Sequence, residues 1–174
     1  NDPGSAVASF YGPRAVALDG RGRVYVTDTG NKRIMIYDQD GKFFQSYGTV
    51  GMSAGEFDEP VGIAVYQDAF MAVADTWNQR VQVFDISDPT ISPKPLTSFD
   101  VSAWYSQSMD NKPYIAFTND GRILFTDPEA GLIWLYTREG ELILSFNAAG
   151  GGIDRLSMPV GLAVGADGSV WVVD

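Results

Sequence analysis

The sequence predicts an all-β fold made of repeated four-stranded units, and three observations carry that prediction. One opening recurs, as Pro13-Arg14-Ala15-Val16-Ala17-Leu18, Pro60-Val61-Gly62-Ile63-Ala64-Val65, Pro113-Tyr114-Ile115-Ala116-Phe117 and Pro159-Val160-Gly161-Leu162-Ala163-Val164, at intervals of 47, 53 and 46 residues. A second anchor follows each opening, an apolar run closed by Asp28, Asp75, Asp127 or Asp174, at intervals of 47, 52 and 47. Two independent anchors on one period define an internal repeat. No stretch shows a helical apolar period of useful length.

The elements of one unit follow in order. The first holds four apolar runs, 15–18, 23–27, 33–37 and 43–47, rich in Val, Ile, Tyr and Phe. Such runs favour strands. Turn residues separate them, Asp19-Gly20, Asp28-Thr29-Gly30-Asn31 and Asp40-Gly41, and Asp120-Gly121 and Asp167-Gly168 repeat the first of these. We label the four strands A to D, with A innermost. Val24-Tyr25-Val26 and Ile34-Met35-Ile36-Tyr37 are apolar at consecutive positions. A strand with one wet face would alternate with polar residues, so these sheets are covered on both sides. Four-stranded antiparallel units stacked face to face at a period near 47 are the blades of a β-propeller. The units run over 13–59, 60–112, 113–158 and 159–174, within a single domain spanning 1–174.

Ser9-Phe10 resembles Ser46-Tyr47, Ser98-Phe99 and Ser145-Phe146 near the ends of D strands, which makes it a candidate D strand ahead of the first A. It stands 4 residues before Pro13, however, where the other units have 14 or 15. The count is three complete blades and part of a fourth. Propellers close with about 4 to 8 blades, and an open array leaves apolar faces and a sheet edge in water. Three readings stand: a segment of a longer six-bladed parent, a half-propeller completed by another copy, or a small ring with an incomplete last blade.

Composition excludes much. The 174 residues carry 12 Lys and Arg against 22 Asp and Glu, a net charge of −10, with no His and no Cys. Disulfides, Cys-ligated zinc and every Ser-His-Asp or Cys-His mechanism are excluded within this chain. Nucleic acid is excluded as a partner because phosphate binding needs clustered Lys and Arg. No apolar run approaches the ~18 residues of a membrane span.

The unit resembles the NHL repeat, a propeller-forming family. The resemblance rests on the Pro-x-Gly-[Ile/Leu]-Ala-Val opening, the strand ending in Asp, and the Asp-x-x-Asn-x-Arg step at Asp28/Asn31/Arg33 and Asp75/Asn78/Arg80. The linker Gly51-Met52-Ser53-Ala54-Gly55-Glu56-Phe57-Asp58-Glu59-Pro60 is similar to the family's inter-blade segment. The third unit departs, with Ala130 and Leu132 following Asp127 where Asn and Arg are expected. The resemblance implies an interaction platform. It also extends to propellers of large bacterial envelope proteins, which implies an extracytoplasmic domain.

Repetition at blade period is what a structural role predicts for Asp28, Asn31, Arg33, Asp75, Asn78, Arg80 and Asp127. Asp and Asn are expected to bond the backbone of the B-to-C turn, and Arg to pair with Asp across the hairpin. Trp77 replaces Gly30 at one such turn and reads either as a binding anchor or as a cap on the neighbouring blade. Trp104, Tyr105 and Tyr114 form a further candidate binding set. The proline-rich insertion 87–95 reads as a loop, with a partner surface as its functional alternative. The glycine-rich run 149–152 lacks the Lys, Ser/Thr and helix of a phosphate loop. Asp38-Gln39-Asp40-Gly41 reads as a turn, not a calcium loop, since no downstream Glu ligand follows. No catalytic residue, metal site or cofactor emerges. The expectation is a non-enzymatic module binding a protein or small ligand through its loop faces. The alternatives are a self-assembling subunit and a hydrolase or lyase with a metal in the central channel.

Overall fold

The computed structural model describes residues 9–106, 112–147 and 155–174. The strands of the first sheet are β1 (Pro13–Leu18), β2 (Val24–Asp28), β3 (Arg33–Tyr37) and β4 (Phe43–Tyr47). The second holds β5 (Pro60–Tyr66), β6 (Phe70–Asp75), β7 (Arg80–Asp85) and β8 (Lys94–Asp100). The third holds β9 (Ile115–Phe117), β10 (Ile123–Asp127), β11 (Leu132–Tyr136) and β12 (Leu142–Phe146), and β13 (Gly161–Val164) pairs with β14 (Val170–Val173). Every sheet is antiparallel and runs in chain order, and none is closed. The innermost strands β1, β5, β9 and β13 approach one another in that order, so the sheets stack around one inner rim.

Both faces of each middle blade are buried, which is why the strands read as continuous apolar runs. Tyr25, Ile34 and Ile36 of the first blade meet Ile63, Met71, Val73 and Phe84 of the second, with Phe57 of the linker between them. The opposite face of the second blade, Ala64, Ala72, Ala74, Val81 and Val83, meets Ile115, Phe117, Ile123 and Phe125 of the third. Leu124, Ile133 and Leu135 then meet Leu162, Val164 and Val172. The outward faces remain exposed, at Val16 and Leu18 of β1 and at Trp171 and Val173 of β14.

Two expectations are corrected. Ser9 and Phe10 form no strand. They belong to the segment that enters β1, where the Ser9 carbonyl accepts a hydrogen bond from Arg33 Nη2 at 2.8 Å. The insertion after β7 is also shorter than expected, because Lys94 and Pro95 pair with Asp85 and Phe84 as the start of β8. Proline is admissible there because β8 is an outermost strand. The rest of the insertion buttresses the first blade. The carbonyls of Ser87 and Pro89 accept from Arg21 and Arg23, and Ser92 Oγ donates to Gln45 Oε1 at 2.9 Å.

Candidate binding site at the inner rim

The aspartates that close the B strands frame the site. Asp28 Oδ1 accepts the N–H of Tyr11 at 2.7 Å. Asp75 Oδ1 accepts those of Asp58 and Glu59 at 2.9 and 3.1 Å, and Asp174 Oδ1 accepts those of Ser157 and Met158 at 2.7 Å each. Each carboxylate thus pins the segment that leads into its own A strand. The sequence reading places Asp and Asn on the backbone of the B-to-C turn; Asp127 does accept the Ala130 N–H there, whereas Asp28 and Asp75 turn to the linker. The linker N–H groups lie outside any ladder and take the carboxylate as their acceptor, and that of Glu59 is buried where water cannot replace it. The amide bonds the carboxylate itself, from Asn31 Nδ2 to Asp28 Oδ2 and from Asn78 Nδ2 to Asp75 Oδ2, both at 2.8 Å.

Arg33 and Arg80 stand opposite Asp28 and Asp75 across their hairpins. Their Nε atoms donate to Oδ2 at 2.8 and 2.9 Å. Arg80 then reaches the carbonyls of Met52, Ser53 and Glu56, fastening the long linker. Burial still pushes the Asp75 carboxyl above its usual range, against the pull of Asn78, the Asp58 N–H and Arg80.

The third unit holds its turn differently. Asp127 accepts long bonds, from the Ala130 N–H at 3.3 Å and Trp134 Nε1 at 3.5 Å. Burial pushes its carboxyl up, with those two bonds in opposition. Gly131 takes the left-handed seat, φ +65°, that Lys32 and Gln79 occupy at +56° and +50°. A glycine there relieves the strain that a side chain would add.

The A-strand openings converge on a cavity of about 180 Å³ lined by Arg14, Val61, Tyr114 and Val160, with Lys112 and Pro113. Two threonines set its edge, since Thr27 Oγ1 accepts the Ala15 N–H and Thr126 Oγ1 the Tyr114 N–H, each at 2.8 Å. A second cavity, of about 330 Å³, lies between Tyr11, Thr29, Lys32, Glu59 and Trp77. Arg14 lines both cavities. Lys112 Nζ meets Glu59 Oε2 at 2.7 Å, with both side chains less than a tenth exposed, and Thr76 Oγ1 donates to the same oxygen at 2.7 Å. Sequence reading missed this clasp between units. Its signal is present, because Gly12, Glu59, Lys112 and Met158 are equivalent residues ahead of the A-strand prolines, and two neighbours carry opposite charge.

The candidate aromatic residues divide. Trp77 lies in the larger cavity, caps the first blade by holding Lys32 Nζ 4.7 Å from its ring centroid, and has a buried indole N–H with no acceptor among the described residues. Tyr114 is 46% exposed at the smaller cavity. Trp104 is core and offers no binding face. It is 3% exposed, packs on Phe125 at 5.0 Å between centroids, and donates its indole N–H to the Thr126 carbonyl at 3.0 Å. Tyr105 is exposed but lines neither cavity. Asn111 and the glycine-rich run 149–152 lie outside the described residues. Among the described residues, no three Asp or Glu side chains are grouped closely enough to hold a metal ion, and no helix is long and apolar enough to cross a membrane.

Comparison with known proteins agrees with this architecture. The NHL repeat family model matches residues 10–37. The chain is 36% identical over 52 residues to RING finger protein nhl-1 of Caenorhabditis elegans, covering 30% of this chain and 5% of that protein. It is 31% identical over 78 residues to the human E3 ubiquitin-protein ligase NHLRC1, covering 44% of this chain and 20% of the ligase. Among solved structures, an inactive virginiamycin B lyase from Staphylococcus aureus with quinupristin superposes with a TM-score of 0.66 at 18% identity, over 92% of this chain and 48% of the lyase. Hydrazine synthase of Kuenenia stuttgartiensis superposes with a TM-score of 0.67 at 16% identity, over 97% of this chain and 43% of the synthase. The chain therefore spans at most a fifth of these two sequence relatives and about half of the lyase. The NHL repeat is thus matched at the first unit, and the same four-stranded unit is built again along the chain as β-propeller blades.

Proposed function

We propose that the chain is a non-enzymatic binding module that takes a protein or small ligand on its inner-rim face. One observation carries this reading: four repeats with the same scaffold present valine twice, at Val61 and Val160, but Arg14 and Tyr114 at the other two equivalent positions of a single cavity. A residue that serves only the fold is repeated, as Asp28 and Asp75 are; a residue that reads a ligand is not. The sequence relatives lend support, since the matching stretch is a small part of a longer ubiquitin ligase in NHLRC1, as suits a recognition module. An extracytoplasmic setting belongs to the same proposal, supported by the cysteine-free acidic composition and tested by cell fractionation.

The test is a fragment screen of the isotope-labelled chain by two-dimensional NMR. Shifts are expected to cluster at Arg14, Lys32, Trp77 and Tyr114. A cluster along the outer strands β4, β8 and β12 would overturn the assignment of the face. Turnover of quinupristin on adding a divalent metal would overturn the non-enzymatic part, because the lyase fold is shared.

The exposed apolar residues Val16 and Leu18 at one end and Trp171 and Val173 at the other favour a second reading, in which further blades or another copy cover these faces. Light scattering across a concentration series separates the two sources, since only self-association depends on concentration.

A further inference from the structure

We infer that the groove between the second and third blades, beside the outermost strand β8 and apart from the inner rim, docks an extended, proline-bearing segment of a partner protein. The repeat builds the same cavity at two successive junctions. Between the first and second blades it is lined by Arg23, Ile36 and Gln45 from one side and Ile86 from the other. Between the second and third it is lined by Phe70, Val83 and Thr97 from one side and Arg138 from the other. These residues are equivalent by register. Arg23 and Phe70 each precede the pair that opens the B and C strands, Val24 with Tyr37 and Met71 with Phe84. Gln45 faces Ile36 as Thr97 faces Val83. Ile86 and Arg138 each stand two residues after the C-strand aromatic, Phe84 or Tyr136. The volumes nevertheless differ, about 10 Å³ for the first cavity and about 150 Å³ for the second. The insertion after β7 makes the difference. Its Ile91 and Pro93 line the first cavity, and Pro93 is buried. Ser92 Oγ donates to Gln45 Oε1, and the Pro89 carbonyl accepts from Arg23. The third unit turns at once through Arg138-Glu139-Gly140 into β12, so no equivalent segment reaches the second cavity.

The segment that fills the first cavity defines the occupant of the second. It brings a proline ring, a hydroxyl side chain beside it, and backbone carbonyls for a guanidinium. A cavity of about 150 Å³ admits one ring. Proline segments are extended before they bind, and they dock into grooves with apolar or aromatic walls. Phe70, Val83 and Leu96 supply those walls. Leu96 falls between the Val83–Thr97 and Phe84–Pro95 pairs, so a bulge turns it out of the ladder, and it is 51% exposed. Charge complementarity agrees. Arg138 lies with its guanidinium carbon 4.2 Å from the Phe70 ring centroid and has no acceptor among the described residues, whereas Arg23 has the Pro89 carbonyl. Glu139 also lines the groove and repels an acidic side chain, which leaves a neutral backbone carbonyl as the matching acceptor.

The experiment titrates the isotope-labelled full chain with the end-blocked peptide Asp-Pro-Thr-Ile-Ser-Pro-Lys, the sequence of residues 88–94. A second titration uses the same peptide with alanine in place of its second proline. Saturable shifts are expected at Leu96, Thr97, Arg138 and Glu139, with the alanine peptide at least about fivefold weaker. Leu96→Ala and Arg138→Gln are each expected to weaken the proline peptide by about fivefold to tenfold. Melting temperatures should stay nearly unchanged, because neither side chain is buried. Equal binding of the two peptides would overturn the proline assignment, and undiminished binding by both variants would overturn the location. Shifts at Arg23 and Gln45 would overturn it too, because the peptide would then displace the insertion of this chain instead of filling the open groove. Absence of any saturable shift would overturn the docking site, and the inner-rim reading would still be decided by the fragment screen, which uses no peptide.

Discussion

Asp75→Ala is expected to cost the folded state about 3–5 kcal/mol, and Asp127→Ala only about 1–2 kcal/mol. The two aspartates are equivalent by repeat, and both side chains are buried. Their partners differ. Removing the Asp75 carboxylate strands the N–H groups of Asp58 and Glu59, the amide of Asn78 and the guanidinium of Arg80. Arg80 keeps its bonds to the Met52, Ser53 and Glu56 carbonyls, which holds the cost to the lower half of that range. Removing the Asp127 carboxylate strands two donors already at 3.3 and 3.5 Å. It also relieves a buried charge whose ionised form is disfavoured by burial. Equilibrium unfolding in guanidinium chloride, followed by circular dichroism and by tryptophan fluorescence, measures both costs, provided the two transitions coincide and the slope is unchanged. Equal losses for the two variants, or a loss below about 1 kcal/mol for Asp75→Ala, would refute the claim that the Asp–Asn–Arg set locks the linkers.

Three further outcomes are expected. Arg80→Leu leaves Asp75 buried beside a leucine, as Leu132 sits beside Asp127. A carboxyl raised in the folded state favours folding below its folded pKa and loses that advantage as pH rises through it. The Arg80→Leu deficit relative to wild type should therefore shrink as pH is lowered from neutral, and a deficit that grows would reverse the sign. Lys112→Met should cost about 3–5 kcal/mol by leaving Glu59 buried without its cation, and adding Glu59→Met should restore much of the loss. A denaturant double-mutant cycle reads that coupling, and strictly additive losses would show that the clasp carries none. Gly48→Ala should destabilise by about 1–3 kcal/mol, because φ is +96° and a Cβ would meet the Phe57 ring at 2.4 Å. An unchanged melting temperature would show that Phe57 yields without cost.

The fold was legible because the central strands of the complete blades are buried on both faces, and two-sided burial leaves a simple mark, consecutive apolar residues such as Ile34-Met35-Ile36 between turn signals. Loop-borne contacts were less legible. Nothing in local pattern says that the Asp75 carboxylate reaches back to the linker 16 and 17 residues away. The Glu59–Lys112 clasp spans 53 residues and becomes visible only when equivalent positions in successive units are compared for charge. Trp104 was misread because an aromatic residue in a linker looks exposed. The backbone turns it inward at φ +62°, onto Phe125 and the Thr126 carbonyl. Ser9-Phe10 failed for a related reason: its likeness to a strand end was one of composition, while its backbone serves Arg33.

The departures from the repeat converge on one place for a geometric reason. Residues inside the sheets are held to the same types in each blade by two-sided packing, so substitution there opens a cavity or forces strain. The first A-strand residue and the B-to-C turn are relieved of that constraint, because both face the inner rim and not a neighbouring blade. Arg14, Tyr114 and Trp77 are departures of this kind, Glu59 and Lys112 depart one step earlier, ahead of the A-strand prolines, and all five line two adjoining cavities. Some of them also stabilise the array: Trp77 caps the first blade through Lys32, and Glu59 and Lys112 tie the segment entering the second blade to the one entering the third. A surface built in this way cannot be altered freely at those three residues without loosening the stack, whereas Tyr114, whose side chain is 46% exposed, can change with less cost. On the rim-binding reading, specificity should therefore reside in Tyr114, and rigidity in Trp77, Glu59 and Lys112. Exchange of Tyr114 is expected to change which ligand binds at nearly constant stability, and exchange of Trp77, Glu59 or Lys112 to lower affinity and stability together.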